Sequence, residues 1–100
     1  MRLAVAADPD SAGALDGLAF ALFRQGKFSE ALDAYDREAA LLESSRSNPK
    51  KYLEVLMNAA VVCARMGDRQ GAADRFNQIV ELAPDSPVAQ EARGLLARMR

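Results

Sequence analysis

The chain has 100 residues, of which 50% are hydrophobic, and its 13 basic and 14 acidic side chains leave a formal net charge of −1. This length and apolar content suffice for one small domain, while a near-neutral charge gives no field that would attract nucleic acid or an anionic membrane. The sequence has no histidine and one cysteine, so the commonest general base and the usual zinc-ligand clusters are missing. We therefore expect no catalytic residue, no cofactor, no metal site and no nucleic-acid partner.

The chain also carries no membrane signal. None of its apolar runs approaches the roughly 20 residues that cross a bilayer, and the apolar part of the N-terminus, residues 3–7, is too short for a secretion signal. We expect no membrane insertion, and we take the cytoplasm as the default compartment.

A pair of helices is the first predicted feature along the chain. Leucine and phenylalanine recur three or four residues apart over residues 12–25, which is the spacing of one helical face. Gly26 then ends the helix, because glycine readily adopts the positive φ of a helix C-terminus. A second helix is predicted from residue 30 to about residue 45, with Ser29 as its N-cap. Since the turn is so short, the two helices pack antiparallel as a hairpin.

Three more helices follow. Asn48 and Pro49 predict the start of the third, because Asn is a good N-cap and Pro suits the first helical position. This third helix extends to residue 66, and the fourth covers residues 69–83. A segment with two prolines separates it from the fifth, residues 88–99. The sequence shows no strand pattern.

The second hairpin repeats the first at a constant distance. Three pairs of residues match at an offset of 41 positions: Gly26 with Gly67, Ala31 with Ala72, and Tyr35 with Phe76. A fixed internal repeat of this length is typical of stacked arrays of supersecondary units.

Residues 11–84 resemble the tetratricopeptide repeat family. Its first helix carries the pattern W-x2-L-G-x2-Y, and its second carries a small Ala, an aromatic residue four positions on and a closing Pro. The matching first-helix residues are Leu15, Leu18, Ala19 and Leu22 in one unit, and Leu56, Ala59, Ala60 and Cys63 in the other. The closing proline is Pro84.

The resemblance implies an all-α fold, a right-handed superhelix of antiparallel helix pairs (an α-solenoid) with about five helices. Residues 1–100 would form one domain: 1–9 are the tail of a preceding unit, 11–47 the first repeat, 48–85 the second repeat, and 86–100 a third-unit or capping helix. The family repeats about every 34 residues, so the longer spacing predicts an elongated hairpin around residues 44–48. Glu38 departs from the family pattern, because it stands where a small residue is usual.

The resemblance also implies a ligand groove, since the first helices of successive units line the concave face of such arrays. The residues that fall on this face by register are Asp16, Phe20, Phe23, Arg24, Glu54, Met57, Val61, Arg65, Glu91 and Leu95. The middle of the row is apolar and its surroundings are charged, which suits an amphipathic helix or an extended peptide. The alternative is that these residues pack under a neighbouring helix absent from this chain.

We therefore expect a non-catalytic scaffold that binds a peptide or amphipathic helix of another protein in the groove. The alternative is self-association into a head-to-tail or helix-swapped homo-oligomer, because residues 1–16 carry three acids and one base, whereas residues 91–100 carry one acid and three bases. An enzyme that uses Glu38 or Cys63 is disfavoured, since Cys63 falls on the packing stripe and is expected to be a buried thiol.

Two further groups of charges are predicted to be solvated surface. Arg46, Lys50 and Lys51 form a small basic tip on the elongated hairpin, with too few cations for a phosphate backbone. Asp33 and Asp36 are expected to lie on a solvated helix face.

Overall fold

Five α-helices make up the part of the chain that the computed structural model describes, residues 11–45 and 48–99. They are α1 (Ser11–Arg24), α2 (Phe28–Ser45), α3 (Pro49–Arg65), α4 (Arg69–Leu82) and α5 (Pro87–Arg98). These residues contain no strand, so the predicted all-α class is confirmed. The right-handed sense of the superhelix stays a prediction, and the predicted tail of a preceding unit, residues 1–9, lies outside the described residues. Within those residues, no helix is long and apolar enough to cross a membrane.

Side-chain caps fix the starts of three helices. The side chain of Asn48 accepts a hydrogen bond from the Lys51 N–H at 3.1 Å, and Ser86 caps α5 in the same way. Asp68 caps α4 by accepting from the Gly71 N–H, a cap that the sequence analysis does not predict. Each cap satisfies an N–H group that a helix start leaves without an intrahelical partner.

The predicted cap at Ser29 is wrong. Helix α2 already begins at Phe28, and the N–H of Ala31 donates to the Lys27 carbonyl at 2.9 Å. The helix starts directly after the glycine turn, so Ser29 lies inside its first turn instead of before it.

The two glycine corners have the same conformation. Gly26 has φ 81° and Gly67 has φ 83°, and both lie in the left-handed region that glycine adopts without a steric penalty. The residue after each glycine donates back across the turn at 2.9 Å, from Lys27 to the Leu22 carbonyl and from Asp68 to the Cys63 carbonyl. This hydrogen bond, from the sixth residue back to the first, is that of a Schellman motif. Both helices therefore end in the same motif at equivalent positions.

We expect Gly26→Ala and Gly67→Ala to lower the free energy of unfolding by similar amounts, about 1–2 kcal/mol each. A Cβ atom at either position meets nothing within 4 Å, so the cost comes from the backbone conformation alone. Urea unfolding measures it. Gly17→Ala is the matched control, because a Cβ there also meets open space but the helical backbone favours alanine by roughly 0.5–1 kcal/mol. A stabilised Gly67→Ala, or unequal costs at the two corners, would show that they are not equivalent.

The hydrophobic core consists of two clusters that share α3. The first lies among α1, α2 and α3, and the second among α3, α4 and α5. Helix α3 takes part in both because it is apolar on two sides: Val55, Ala59 and Val62 belong to the first cluster, and Leu56, Ala60 and Cys63 to the second. A helix buried on two sides is what stacking of one hairpin on the next requires.

Several matching positions of the two hairpins are buried alike. Ala31 and Ala72 are fully buried, and so are Ala19 and Ala60. Small residues at these places let the helix backbones approach closely, while Tyr35 and Phe76 fill the space beside them as buried aromatic rings. One matched pair differs, because Leu18 is 49% exposed whereas Ala59 is fully buried.

The hairpin between the two units is elongated, as predicted. Helices α2 and α3 have 18 and 17 residues, whereas α4 has 14. By the 41-residue offset, the last residue of α4, Leu82, corresponds to Leu41 in α2. The final four residues of α2 therefore extend beyond the end of α4, by about 1.5 Å per residue.

An ion pair joins the second helices of the two units. Arg75 of α4 donates to both carboxylate oxygens of Asp36 of α2, at 2.9 and 3.1 Å. Both bonds come from one guanidinium nitrogen, Nη2, while Nη1 donates to the Gly71 carbonyl at 3.1 Å, and charge on both partners shortens and strengthens such bonds. Asp33 and Asp36 are both exposed, as predicted, although the sequence does not predict that Asp36 pairs with Arg75. Asp33 pairs within its own helix, with Arg37 at 3.8 Å.

Candidate binding groove

The first helices of the two units, α1 and α3, lie side by side. Lys51 of α3 reaches Asp16 of α1 with 3.5 Å between ammonium and carboxylate, and Arg65 of α3 lies over the ring of Phe23 of α1 at 5.4 Å. The first of these contacts lies near the start of α3 and the second at its end. The two helices therefore present one continuous surface, which we call the first-helix groove.

A small apolar hollow lies at the middle of the first-helix groove. Its volume is about 100 Å³. The residues that line it are Phe20, Phe23, Tyr35, Asn58, Val61 and Val62. The structure thus brings together three of the residues placed there by register, Phe20, Phe23 and Val61. Phe20 is 53% exposed, so about half of its apolar surface is in contact with water.

Two arginines lie over aromatic rings at the C-terminal end of the groove. The guanidinium of Arg24 is 5.7 Å from the Phe20 ring centroid, and that of Arg65 is 5.4 Å from Phe23 and 5.6 Å from Phe28. The Phe23 and Phe28 rings themselves pack at 5.5 Å with a tilt of 54°. Attraction between a cation and a ring face favours these positions of the arginines, so this end of the groove is positive.

The other end of the groove holds acids around one lysine. Lys51 lies 3.5 Å from Asp16 and 4.0 Å from Glu54. The prediction that Lys51 belongs to a solvated basic tip is therefore wrong, because its side chain turns back along α3 to these carboxylates. Lys50 is exposed, as predicted, and Arg46 lies outside the described residues.

Beneath Asp16 lies a carboxyl group in the core. Glu38 of α2 is fully buried, and while both groups are ionised neither of its carboxyl oxygens, nor Oδ1 of Asp16, has a hydrogen-bond donor in the described part of the chain. Burial raises the pKa of Glu38 to about 8. The hydrogen bond that a protonated Glu38 makes to Asp16, and the charge of Asp16, raise this pKa further, while the charge of Lys51 lowers it. At neutral pH Glu38 therefore keeps its proton and can donate it to Asp16.

The remaining groove residues lie apart from the apolar hollow. Met57 and Leu95 are half-buried and pack against the second core cluster, and Glu91 is exposed on α5. Asn58 and Tyr35 line the hollow but were not placed there from the sequence. Asn58 had a signal, since it lies three residues before Val61 on the same helical face.

Cys63 is buried, as predicted. Burial raises the pKa of its thiol, more than the neighbouring Arg75 lowers it, so the reactive thiolate is disfavoured. No cluster of three or more potential metal ligands occurs among the residues that the structure describes. The first-helix groove thus has an apolar centre and charged ends.

Comparison with known proteins agrees with this geometry. The family model described as tetratricopeptide repeat matches residues 10–85. Among curated proteins and solved structures, no significant match to the chain was found.

Proposed function

The chain belongs to the tetratricopeptide repeat family, and we propose that it is a scaffold that binds a partner protein. Repeats of this family generally mediate protein–protein interactions and are typically non-catalytic. The proposed ligand is a peptide or an amphipathic helix of the partner, bound in the first-helix groove. The ligand side chains lie against Phe20 and Val61, and its charged groups meet Arg24 and Arg65 at one end and Asp16 and Glu54 at the other.

The observation that carries the proposal is the exposure of Phe20 beside an apolar hollow. About half of this ring faces solvent, directly next to Phe23 and Val61. Covering it with a ligand side chain removes apolar surface from water, which is favourable by about 25 cal/mol per Å². An apolar anchor at the centre of an interface, ringed by polar groups, is the usual form of a binding hot spot.

The charged ends support a ligand of defined direction. A guanidinium that lies over a ring uses its face for that contact, so its N–H groups can still donate to a ligand carboxylate. Arg65 is positioned by two rings before any ligand arrives, which reduces the entropy lost on binding. We propose that a carboxylate of the ligand meets Arg65 and Arg24, and that a cation lies towards Glu54.

Phe20→Ala is expected to weaken binding of a captured partner by about tenfold or more, the loss that corresponds to about 1.4 kcal/mol of buried apolar surface. Arg65→Ala is expected to weaken it less, about threefold to tenfold, and more strongly at low salt. The measurement is affinity capture with the chain as bait, followed by titration of the identified partner segment by calorimetry.

Leu18→Ala is the matched control for Phe20→Ala. Leu18 is in the same helix and is 49% exposed, close to the value for Phe20, but it does not line the apolar hollow. Its substitution should leave the affinity unchanged. Equal losses in Leu18→Ala and Phe20→Ala, or an unchanged affinity in Phe20→Ala, would refute the groove.

We keep self-association as a second proposal, because the first hairpin exposes two large apolar side chains outside the groove, Leu18 and Leu41. A head-to-tail stack or a helix swap would cover them. Light scattering separates the two proposals: a mass that rises with concentration and falls back in Leu18→Ala supports self-association, and a constant monomer mass removes it.

A further inference from the structure

A second, larger hollow lies between the two units, near the tip of the elongated hairpin. Its volume is about 450 Å³, within the roughly 300–1,000 Å³ of ligand clefts. We call it the overhang hollow. Its lining residues are Leu42 and Glu43 of α2, Pro49 and Tyr52 of α3, and Gln78, Glu81 and Leu82 of α4. It shares none of them with the apolar hollow of the first-helix groove.

The overhang hollow results from the unequal helix lengths. Helix α4 ends at Leu82, whereas α2 continues for four residues beyond the position that corresponds to it. Leu42 and Glu43 belong to this extension, and Pro49 and Tyr52 lie on the first turns of α3 beside it. Among the described residues, α4 therefore does not extend alongside the last turn of α2, and a concave space opens beyond its end.

The walls of the overhang hollow are mainly apolar. Leu82 is 58% exposed, and the half-buried ring of Tyr52 faces the same space. Pro49 contributes no backbone N–H group, since it has none. An exposed leucine beside an aromatic ring in a concave site leaves apolar surface that a ligand can cover.

The rim of the overhang hollow is acidic. Glu43 and Glu81 are both exposed there, and none of the seven described residues that line it is a cation. The negative potential reaches the wall, because the charge of Glu43 adds to burial in raising the pKa of the Tyr52 phenol. An apolar site with carboxylates at its edge is complementary to an apolar side chain flanked by cations.

We propose that the overhang hollow is a second protein-binding site, which takes a large apolar side chain flanked by Lys or Arg from a short segment of a partner protein. Leu82 and Tyr52 bury the apolar side chain, and Glu43 and Glu81 select its cationic neighbours. Because this site and the first-helix groove share no lining residue, a partner can occupy one while the other stays open.

The probe is a set of fluorescein-labelled peptides. The first has a Leu-Phe pair flanked on both sides by Lys, the second replaces the pair by Ala, and the third replaces the Lys residues by Glu. Fluorescence anisotropy gives the affinities, and ¹H–¹⁵N NMR shift mapping gives the location. The first peptide should bind and shift the amides of Tyr52 and Leu82, and the other two should bind about tenfold more weakly or not at all.

Leu82→Ser should weaken binding of the first peptide by about tenfold, because the substitution removes an exposed part of the apolar wall. The matched control is Leu41→Ser, the equivalent position in α2, which is 42% exposed and does not line the overhang hollow. The double variant Glu43→Gln with Glu81→Gln should weaken binding of the first peptide by about threefold and remove most of the salt dependence of its affinity. Phe20→Ala should leave the affinity unchanged, so a failure of the first-helix groove and a failure of this site are distinguishable.

Three results of the peptide titrations would overturn the proposal. They are no binding of the first peptide, equal weakening by Leu41→Ser and Leu82→Ser, or equal binding of the peptide that carries Glu in place of Lys. A concentration-dependent dimer that Leu82→Ser dissociates would also overturn it, since the occupant would then be a second copy of the chain. Circular dichroism of each variant confirms that the helices remain folded.

Discussion

Phe76→Ala is expected to lower the free energy of unfolding by about 3–5 kcal/mol, the usual loss for a fully buried phenylalanine. Phe76 is 2% exposed and is the largest of the fully buried side chains, and it packs in the second core cluster with Ala60, Ala72 and Ala89. The free energy of unfolding of such domains is about 5–15 kcal/mol, so the variant should lose a large part of its stability. Urea unfolding followed by far-UV circular dichroism measures this loss.

Two comparisons make this result specific. Phe20→Ala is the same chemical change at an exposed ring, so it should lower the stability by no more than about 1 kcal/mol. Tyr35→Ala removes the ring at the equivalent position of the first unit and should cost as much as Phe76→Ala, within about 1 kcal/mol. Similar small losses in Phe76→Ala and Phe20→Ala would mean that Phe76 does not fill a repeat core.

Glu38 is expected to make the protein less stable as the pH rises from about 5 to about 8. The folded chain keeps the proton of Glu38 up to a pKa of about 8, whereas the unfolded chain releases it near the ordinary value of about 4.5. Between these values the unfolded state binds fewer protons, so the free energy of unfolding falls with rising pH. The total loss should be roughly 2–4 kcal/mol, at a slope of at most about 1.4 kcal/mol per pH unit.

The groups that face Glu38 come from all three helices of the first cluster. Asp16 of α1 raises its pKa, and Lys51 of α3 lowers it. Tyr35 of α2 is also coupled, since the charges of Asp16 and Glu38 add to burial in raising the pKa of its phenol. A neutral Glu38 donates to Asp16, whose carboxylate then pairs with Lys51.

Glu38→Gln should remove most of this pH dependence and should be more stable than the wild type at pH 8, because an amide stays neutral and can donate to Asp16 as the protonated acid does. Chemical unfolding at a series of pH values measures it. Glu54→Gln is the matched control, since Glu54 is also near Lys51 but is exposed. Its curve should follow that of the wild type. A flat wild-type curve between pH 5 and 8 would show that Glu38 is ionised in the fold.

The sequence predicts the helices well because their signals are local. Gly26 and Gly67 end helices at equivalent places, and Asn48 with Pro49 starts one. The buried face also follows from spacing, since Ala31 and Ala72 recur at a fixed distance and are both fully buried. The cap at Ser29 failed because a helix can begin as soon as the glycine turn is complete.

The features that depend on neighbouring helices could not be predicted in the same way. Lys51 turns towards Asp16 because α1 lies beside it, and Asp36 pairs with Arg75, 39 residues away in the chain. Glu38 was noted as a departure from the family pattern, but its neutral state follows from burial in the assembled core. The overhang hollow is formed by residues of three helices, so its existence depends on how these helices pack and is not a local property of the sequence.

The central claim is that a partner protein covers the surface shared by α1 and α3. The most direct measurement is NMR shift mapping of the chain with the partner segment that affinity capture identifies. We expect the largest shifts at Phe20, Phe23 and Val61 around the apolar hollow. Largest shifts at Leu18 and Leu41, with small ones in the first-helix groove, would contradict the claim.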